Sequence, residues 1–581
     1  MTRLRSEHGG AGATAPLAAP SQTRSVFGLP PAWVAAAVIG GLVTLYLWTT
    51  EGTTASFLLA ASVCLAVAGA LGLLTRSTLS AAVATGGLVV LFHQTSRFKS
   101  DETSMLLHAF DVIAAFSSPA AIGELVAAHP GYALALTGCA VATLLLALLA
   151  LRWDQTPIRR WRAAGVMIIA TAAACAAAVG KDTRPHTLYY FWNIHLSSFL
   201  ASWPDAIGAL ARGRLIEAAP VAALPPFRAH EACTPAQKPP HIILIHQESV
   251  VPPSLFPKLG YDPALDVLFR SFDGKLRTLV VETYGGASWL SEFAVMSGLS
   301  ARSFGGIRQL VQPVMAGKLG DALPQVLSRC GYHTAIYYPM LRSYLGAARF
   351  FMTIGFDAFV DAKDQGAMSA SERDRFYHAS AIEGFARHIA ASRRPMFAYV
   401  QTTAAHWPYS FTYAPEETVP GGAPGTHPEM HEYLRRLALA RADYAELKAQ
   451  LAKRFPTERF LIVHYGDHQP TATRTLLGFD DDTDIEAIVR SAKPEAFVSF
   501  YAVDGVNFTP SAMPAVEVLD IPYLGTVLLE AAGLPLPESY QERRRLMEAC
   551  QGRYFHCVRR EEILAFHKRL IDSRLLGGLS P

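Results

Sequence analysis

Five apolar stretches crowd into the first 180 residues, at 33–48, 55–74, 79–93, 132–151 and 163–179. Nothing else in the chain limits its architecture as much. A bilayer core takes about 20 apolar residues to cross, within a range of about 17–25. The second and fourth stretches reach that length, the first and fifth approach it, and the third, "LSAAVATGGLVVLFH", falls short. Buried helices of a soluble protein are the other source of such runs, but so many in so short a stretch exceed what one soluble core needs. The sequence therefore predicts a five-helix transmembrane domain over 31–180. Before it, residues 1–30 read as a cytoplasmic disordered tail without the pattern of a cleaved signal peptide.

Charge sorts the rest. Only 17% of residues are charged, against a usual share of about 25%, and most of them follow residue 180. A net charge of +3 is too small to suggest nucleic acid as a partner. Arg3, Arg5, Arg24, Arg76, Arg152, Arg159, Arg160 and Arg162 fall in the tail and in alternate loops. The positive-inside rule then puts the N-terminus in the cytoplasm and everything after residue 180 outside. The loop at 94–131 is long, and its "MLLHAFDVIAAF" has an amphipathic pattern suited to the outer membrane surface. Residues 181–240 read as a juxtamembrane linker whose aromatic "LYYFWNIHLSSFLASW" suits the interface.

Cys64, Cys139 and Cys175 lie in the spans, where they read as small packing residues. The exported part has Cys233, Cys330, Cys550 and Cys557. An even count in an oxidising compartment suggests disulfides. Cys550 and Cys557 flank a short loop that closes easily, which leaves Cys233 for Cys330; four free thiols are the alternative.

From 241 to 581 short runs rich in Val, Ile, Phe and Tyr alternate with helical segments: "HIILIHQ" (241–247), "RTLVVET" (277–283), "TAIYYP" (334–339), "MFAYVQT" (396–402), "RFLIVHYG" (459–466) and "FVSFYAV" (496–502). The pattern predicts an α/β domain with a mostly parallel central sheet. Such sheets do their chemistry at the C-terminal ends of strands. Glu248 follows the first strand, Ser288 follows the second across "YGGA", His406 follows "MFAYVQT", and Asp467 and His468 follow "RFLIVHYG".

Two carboxylates, an imidazole and a serine oxygen form a plausible ligand set for Zn²⁺, or for Mn²⁺ with water. Serine is a weak nucleophile at neutral pH, and a divalent cation can both stabilise its ionised form and polarise a phosphoryl oxygen. A helix starting near Trp289 would add backbone donors for a phosphate. A metal, rather than a histidine base, is thus the expected activator of Ser288.

The order of Glu248, "GGASWLSEF" and "YGDHQP" resembles the alkaline phosphatase–sulfatase superfamily, and within it the lipoteichoic acid synthase and phosphoglycerol transferase branch. That resemblance covers most of the chain and implies five membrane helices with an extracellular α/β catalytic domain. It implies one divalent cation, commonly Mn²⁺ (Zn²⁺ and Mg²⁺ being the alternatives), on Glu248, Ser288, Asp467 and His468. Ser288 stands where the family usually has threonine. His406 corresponds to a histidine that contacts substrate, and either Arg342 or Arg349, both preceding "GFDAF", to an arginine that holds phosphate. The implied reaction moves phosphoglycerol from phosphatidylglycerol, through a serine-linked intermediate, to an acceptor hydroxyl. An exported glycan or glycolipid at a Gram-negative inner membrane is the expected acceptor.

Other readings compete. Ser288 is not in a C/S-x-P-x-R context, which disfavours sulfatase chemistry. Phosphoethanolamine transferases share the architecture and are the enzymatic alternative; a metal-binding membrane protein without turnover is the other. His246, His464 and His333 read as structural, Glu292 as a helix cap or a site neighbour, Asp443 and Tyr444 as scaffold, and Asp480–Asp482 as a solvated turn.

Overall fold

The computed structural model describes residues 30–103, 105–112, 126–127, 129–154, 157–179, 194–219, 225–228, 232–235, 237–369, 371–416 and 427–578. It divides into two compact units, one within Met1–Phe92 and Gly131–Gly180, the other within His93–Pro130 and Lys181–Pro581.

The first unit contains helices long and apolar enough to cross a membrane: α1 (Pro31–Thr50), α2 (Thr54–Thr75), α3 (Thr78–Thr103, whose last turns lie in the second unit), α4 (Pro130–Trp153) and α5 (Arg160–Val179). The stretch that looked too short in sequence is the start of α3, which continues through polar residues to Thr103. Small residues set the packing, since lipid offers apolar side chains no incentive to associate and close backbone approach must supply the contact. A Cβ on Gly69 of α2 would stand 2.7 Å from the Met167 main-chain nitrogen of α5. At the start of α3, Asp154 accepts from Ser77 Oγ (2.8 Å) and the Leu79 amide (3.3 Å), satisfying helix-end donors that lipid could not.

The second unit is built on an eight-stranded sheet in the order β4-β3-β5-β1-β6-β7-β2-β8. The strands are β1 (His241–Gln247), β2 (Arg277–Val280), β3 (His333–Tyr337), β4 (Ala358–Val360), β5 (Met396–Thr402), β6 (Phe460–Gly466), β7 (Val498–Val506) and β8 (Val518–Asp520). All neighbours pair parallel except β7, which runs antiparallel to both β6 and β2. The six strands expected from sequence are present. β2 stops at Val280, three residues early, because Val281 already bonds to the Phe497 carbonyl outside the ladder. β4 and β8, of three residues each, carry too little pattern to be read in advance.

Alternation along the central strands feeds two cores. Leu244, Tyr399 and Tyr465 face one, and Ile243, Ile245, Ala398 and Ile462 the other. Gln247 of β1 is in register with Thr402 of β5 and with Gly466 of β6. The three strand ends therefore stop level, and the residues just beyond them meet. Disulfides join Cys233 to Cys330 and Cys550 to Cys557.

Two expectations about the connecting segments are corrected. Met105, Ala109 and Phe110 do not form a surface-lying face; they are buried in the first core together with Ala206 and Ala209 of α6 (His195–Arg212). The Ala109 amide bonds to Ser202 Oγ at 2.9 Å, and Lys99 pairs with Asp111 at 2.6 Å. An amphipathic pattern fits a protein core as well as a lipid interface, and here protein supplies the apolar partner. Residues 113–116 of that stretch, and 188–193 of the aromatic one, lie outside the described residues. Much of what read as a linker is likewise core: Leu215, Ile216 and Phe227 are buried, and the Phe227 amide bonds to Ser573 Oγ at 2.7 Å.

A buried carboxyl makes the stability of this unit pH-dependent. Asp374, first residue of α7 (Asp374–Ala391), accepts from the Ala404 amide at 3.2 Å. Burial first, and the neighbouring Asp443 carboxylate second, push its pKa up to about 7, against the pull of Ala404, Thr402 and Arg373. A folded-state pKa above the unfolded value means that this group favours folding most below about pH 4 and that its contribution is lost as pH rises toward 7. Asp374→Asn keeps an acceptor for Ala404 and removes the ionisation. Its melting temperature should exceed that of the wild type by a growing margin from pH 4 to 7, levelling off above. The margin should reach several degrees, at about 2–4 °C per kcal/mol. A pH-independent difference in thermal melts would contradict this.

Candidate active site

Ser288 opens helix α8 (Ser288–Ser297), and an unusual backbone leads into it. Gly285 and Ala287 have φ of +67° and +65°, and Ala287 is not a glycine. The left-handed conformation costs an L-residue about 1–2 kcal/mol, here offset by burial of Ala287 and by the Leu290 amide bonding to its carbonyl at 2.9 Å. The turn puts Ser288 Oγ at the helix N-terminus. Gly466 is needed for a different reason: a Cβ there would lie 1.8 Å from the Val250 carbonyl oxygen. Only glycine lets the chain after β1 pass close enough for Glu248 and Asp467 to meet.

Four side chains from three loops converge. Ser288 Oγ donates to Glu248 Oε2 at 2.7 Å and lies 3.4 Å from His468 Nε2. That nitrogen is also 3.2 Å from Glu248 Oε1 and 3.3 Å from Asp467 Oδ2. His468 Nδ1 is 3.0 Å from the Gln469 carbonyl, so its proton belongs there and Nε2 faces the oxygens. Asp467 Oδ1 accepts from the Ser249 and His468 amides, both at 2.8 Å. Asp467 Oδ2 is buried and accepts no well-directed hydrogen bond, although His246 Nε2 is 3.2 Å away.

A buried carboxylate oxygen without a hydrogen bond, facing an imidazole nitrogen, a second carboxylate and a hydroxyl, suits a divalent cation. Glu248, Ser288, Asp467 and His468, the set expected from sequence, could hold it. The electrostatics follow from proximity. Without a cation, burial works against the His468 imidazolium but Asp467 and Glu248 outweigh it and hold its pKa at about 9, so a cation taking Nε2 would displace a proton from it. Burial also works against the Glu248 carboxylate, but His468 and His246 keep its pKa well below the usual range.

His246 was read from sequence as structural, with its direction open. It faces the site: Nδ1 lies 3.0 Å from the Tyr399 hydroxyl and 2.9 Å from that of Tyr465, leaving Nε2 toward Asp467. Ligand atoms of His246, Glu248 and Asp467 all lie within 4.8 Å of one another. His464 lies on the other face of the sheet, packed on Tyr444 and Phe500. Glu292 does not cap its helix; it accepts from Gln312 (2.7 Å) and Gln401 (2.8 Å). Asp443 and Tyr444 are scaffold, pairing with Arg373 and Asp504 respectively.

Beside the cluster opens a cavity of about 590 Å³, lined by Ser288, His406, Trp407, Tyr338, Tyr344 and Arg474 among others. His406 is thus brought to the site. Its loop is fastened by Arg436, a fully buried residue of α9 (Pro428–Arg454) that donates to the carbonyls of His406 (2.7 Å) and Pro408 (2.9 Å) and pairs with Glu432 (2.9 Å). Arg342 and Arg349 are not among the lining residues. Arg342 is spent on Asp361 (3.4 Å) and Asp364 (3.3 Å), and Arg349 is exposed. Arg436 and Arg474 carry no local sequence signal that marks them for the site.

A mostly parallel sheet whose strand ends gather a serine at a helix N-terminus and an Asp-His-Glu cluster has the makings of an enzyme's active site. Residues 277–515 match the family model described as Sulfatase. The match takes in Ser288, His406, Asp467 and His468. A Haemophilus influenzae protein described as "Uncharacterized protein" is 24% identical over 321 residues, 53% of this chain and 54% of the other. The chain thus spans about half the length of the curated relative it matches. Among solved structures it is similar to the Streptococcus pyogenes phosphoglycerol transferase GacH in complex with sn-glycerol-1-phosphate. Identity there is 14% over 58% of this chain and 85% of that one, with a TM-score of 0.44. It is also similar to the integral membrane lipooligosaccharide phosphoethanolamine transferase EptA of Neisseria meningitidis. Identity is 10% over 87% of this chain and 97% of that one, with a TM-score of 0.43.

Proposed function

We propose that the protein is a membrane phosphotransferase that takes phosphoglycerol from phosphatidylglycerol, holds it on Ser288, and passes it to a hydroxyl of an exported glycan or glycolipid. The carrying observation is Ser288 Oγ, set at a helix N-terminus 2.7 Å from Glu248 within the Asp467–His468 cluster. A divalent cation held by Glu248, Ser288, Asp467 and His468, Mn²⁺ in our reading, supplies stabilisation for negative charge on the serine and phosphoryl oxygens. The helix N-terminus orients the phosphate. In the first step the Oγ–P bond forms, the P–O bond to diacylglycerol breaks, and the serine proton ends on the diacylglycerol oxygen. In the second the acceptor oxygen forms its bond to phosphorus, the Oγ–P bond breaks, and the acceptor's hydroxyl proton ends on Oγ.

The cavity favours glycerol over ethanolamine as the group carried. An ammonium would seek a free carboxylate, but Glu248 is engaged in the cluster and Glu292 by two glutamine amides. Tyr338 and Tyr344, whose hydroxyls burial keeps protonated, offer neutral partners for a diol. The arginine distribution of the loops supports an inner-membrane protein with a cytoplasmic N-terminus and a periplasmic catalytic domain.

The test is peptide mass spectrometry of the Ser288 region after incubating the full-length protein with Mn²⁺, phosphatidylglycerol and phosphatidylethanolamine, without acceptor. A phosphoglycerol adduct on Ser288 is expected. A phosphoethanolamine adduct would replace the donor, and no adduct with both lipids intact would refute the reaction. His406 lines the cavity and its ring bonds to the Trp407 carbonyl rather than to the cluster, so His406→Ala should largely spare Mn²⁺ affinity and lower kcat/KM by about 10²-fold. Calorimetric metal titration beside lipid turnover checks both halves.

A further inference from the structure

Among the described residues lining the cavity beside Ser288, Arg474, in the loop after β6, is the one that carries a permanent positive charge. From this we infer that Arg474, with Thr471, forms the subsite that grips the phosphate of the donor. The inference rests on the phosphotransferase reading above but not on which head group the phosphate carries.

Several observations converge. Arg474 Nε is buried without a hydrogen-bond partner, and so is Thr471 Oγ1; both residues line the same cavity as Ser288. Two buried polar atoms left unsatisfied by residues of one cavity are costly, and a place in the cavity of the nucleophile explains them if a substrate oxygen fills the gap. The loop is pinned against the nucleophile turn. The Gly285 amide bonds to the Gln469 carbonyl at 2.9 Å, and a Cβ on Gly285 would touch Thr471 Cγ2 at 3.2 Å.

The guanidinium is oriented without being neutralised. Arg474 Nη1 donates to the main-chain carbonyl of Asp481, not to a carboxylate, so its charge stays available. Arg342, by contrast, is already paired with two carboxylates away from the cavity. A guanidinium fork fits two non-bridging phosphoryl oxygens, which a phosphodiester presents whatever its head group.

Binding of two probes, sn-glycerol-1-phosphate and phosphoethanolamine, to the full-length Mn²⁺-loaded protein tests the subsite by calorimetry. Arg474→Ala should weaken both by about tenfold or more, Arg474→Lys by less, and Thr471→Val by a few-fold, while Mn²⁺ affinity and melting temperature stay at wild-type values. Wild-type probe affinity in Arg474→Ala would overturn the inference. So would loss of Mn²⁺ affinity in both Arg474 variants, which would make the residue structural, or a wild-type protein that binds neither probe. If Arg474→Ala weakens both probes but the wild type prefers phosphoethanolamine, the subsite stands and the phosphoglycerol reading falls.

Discussion

Ser288→Ala should lose lipid turnover by at least about 10³-fold while keeping its fold and most of its metal affinity. The magnitude follows from the role: without Oγ no covalent step is available, and what remains is attack by water on a positioned phosphodiester. The fold should hold because Ser288 is only half-buried and its hydroxyl bonds to Glu248 alone within normal distance. Metal affinity should fall modestly, since Glu248, Asp467 and His468 remain. Ser288→Thr restores a hydroxyl at the same atom and should recover the adduct. Lipid consumption, adduct mass and Mn²⁺ titration on the variants decide it. Wild-type transfer by Ser288→Ala would end the proposed mechanism.

Asp467→Asn should have the second large effect, this time on the metal itself. Oδ1 is occupied by two amides, which an asparagine oxygen can still accept, so the loop geometry is retained. The substitution changes the Oδ2 position, where an NH₂ would replace the buried open oxygen facing His468. A donor cannot ligate a cation, and Mn²⁺ affinity should drop about 10²-fold or more. Ligand linkage gives a readout independent of catalysis. A cation at 100 times its Kd stabilises the fold by about 2.7 kcal/mol, and one at its Kd by only about 0.4 kcal/mol, so added Mn²⁺ should raise the melting temperature of the wild type far more than that of the variant. Equal shifts in both would remove Asp467 from the metal site.

What the sequence made legible divides along physical lines. That Glu248, Ser288, Asp467 and His468 would come together could be read in advance because β-rich runs announce their own ends, and a parallel sheet brings those ends together. Arg436 and Arg474 could not, because their partners are main-chain carbonyls supplied by tertiary packing, and any arginine can make such bonds. The direction of His246 depended on strand register, which the level stops of β1, β5 and β6 fix only in three dimensions. Met105 to Phe110 were misassigned because periodicity reports an apolar face without naming what covers it.

That misassigned segment bears on how the molecule is made. Met105, Ala109 and Phe110 leave the ribosome before α4 and α5, yet their partners Ala206 and Ala209 come after both. The core of the catalytic unit cannot close until two further membrane helices have been synthesised and placed. Insertion and folding are therefore serial events in this chain, and an error in seating α4 or α5 would surface as a catalytic unit with its core left open.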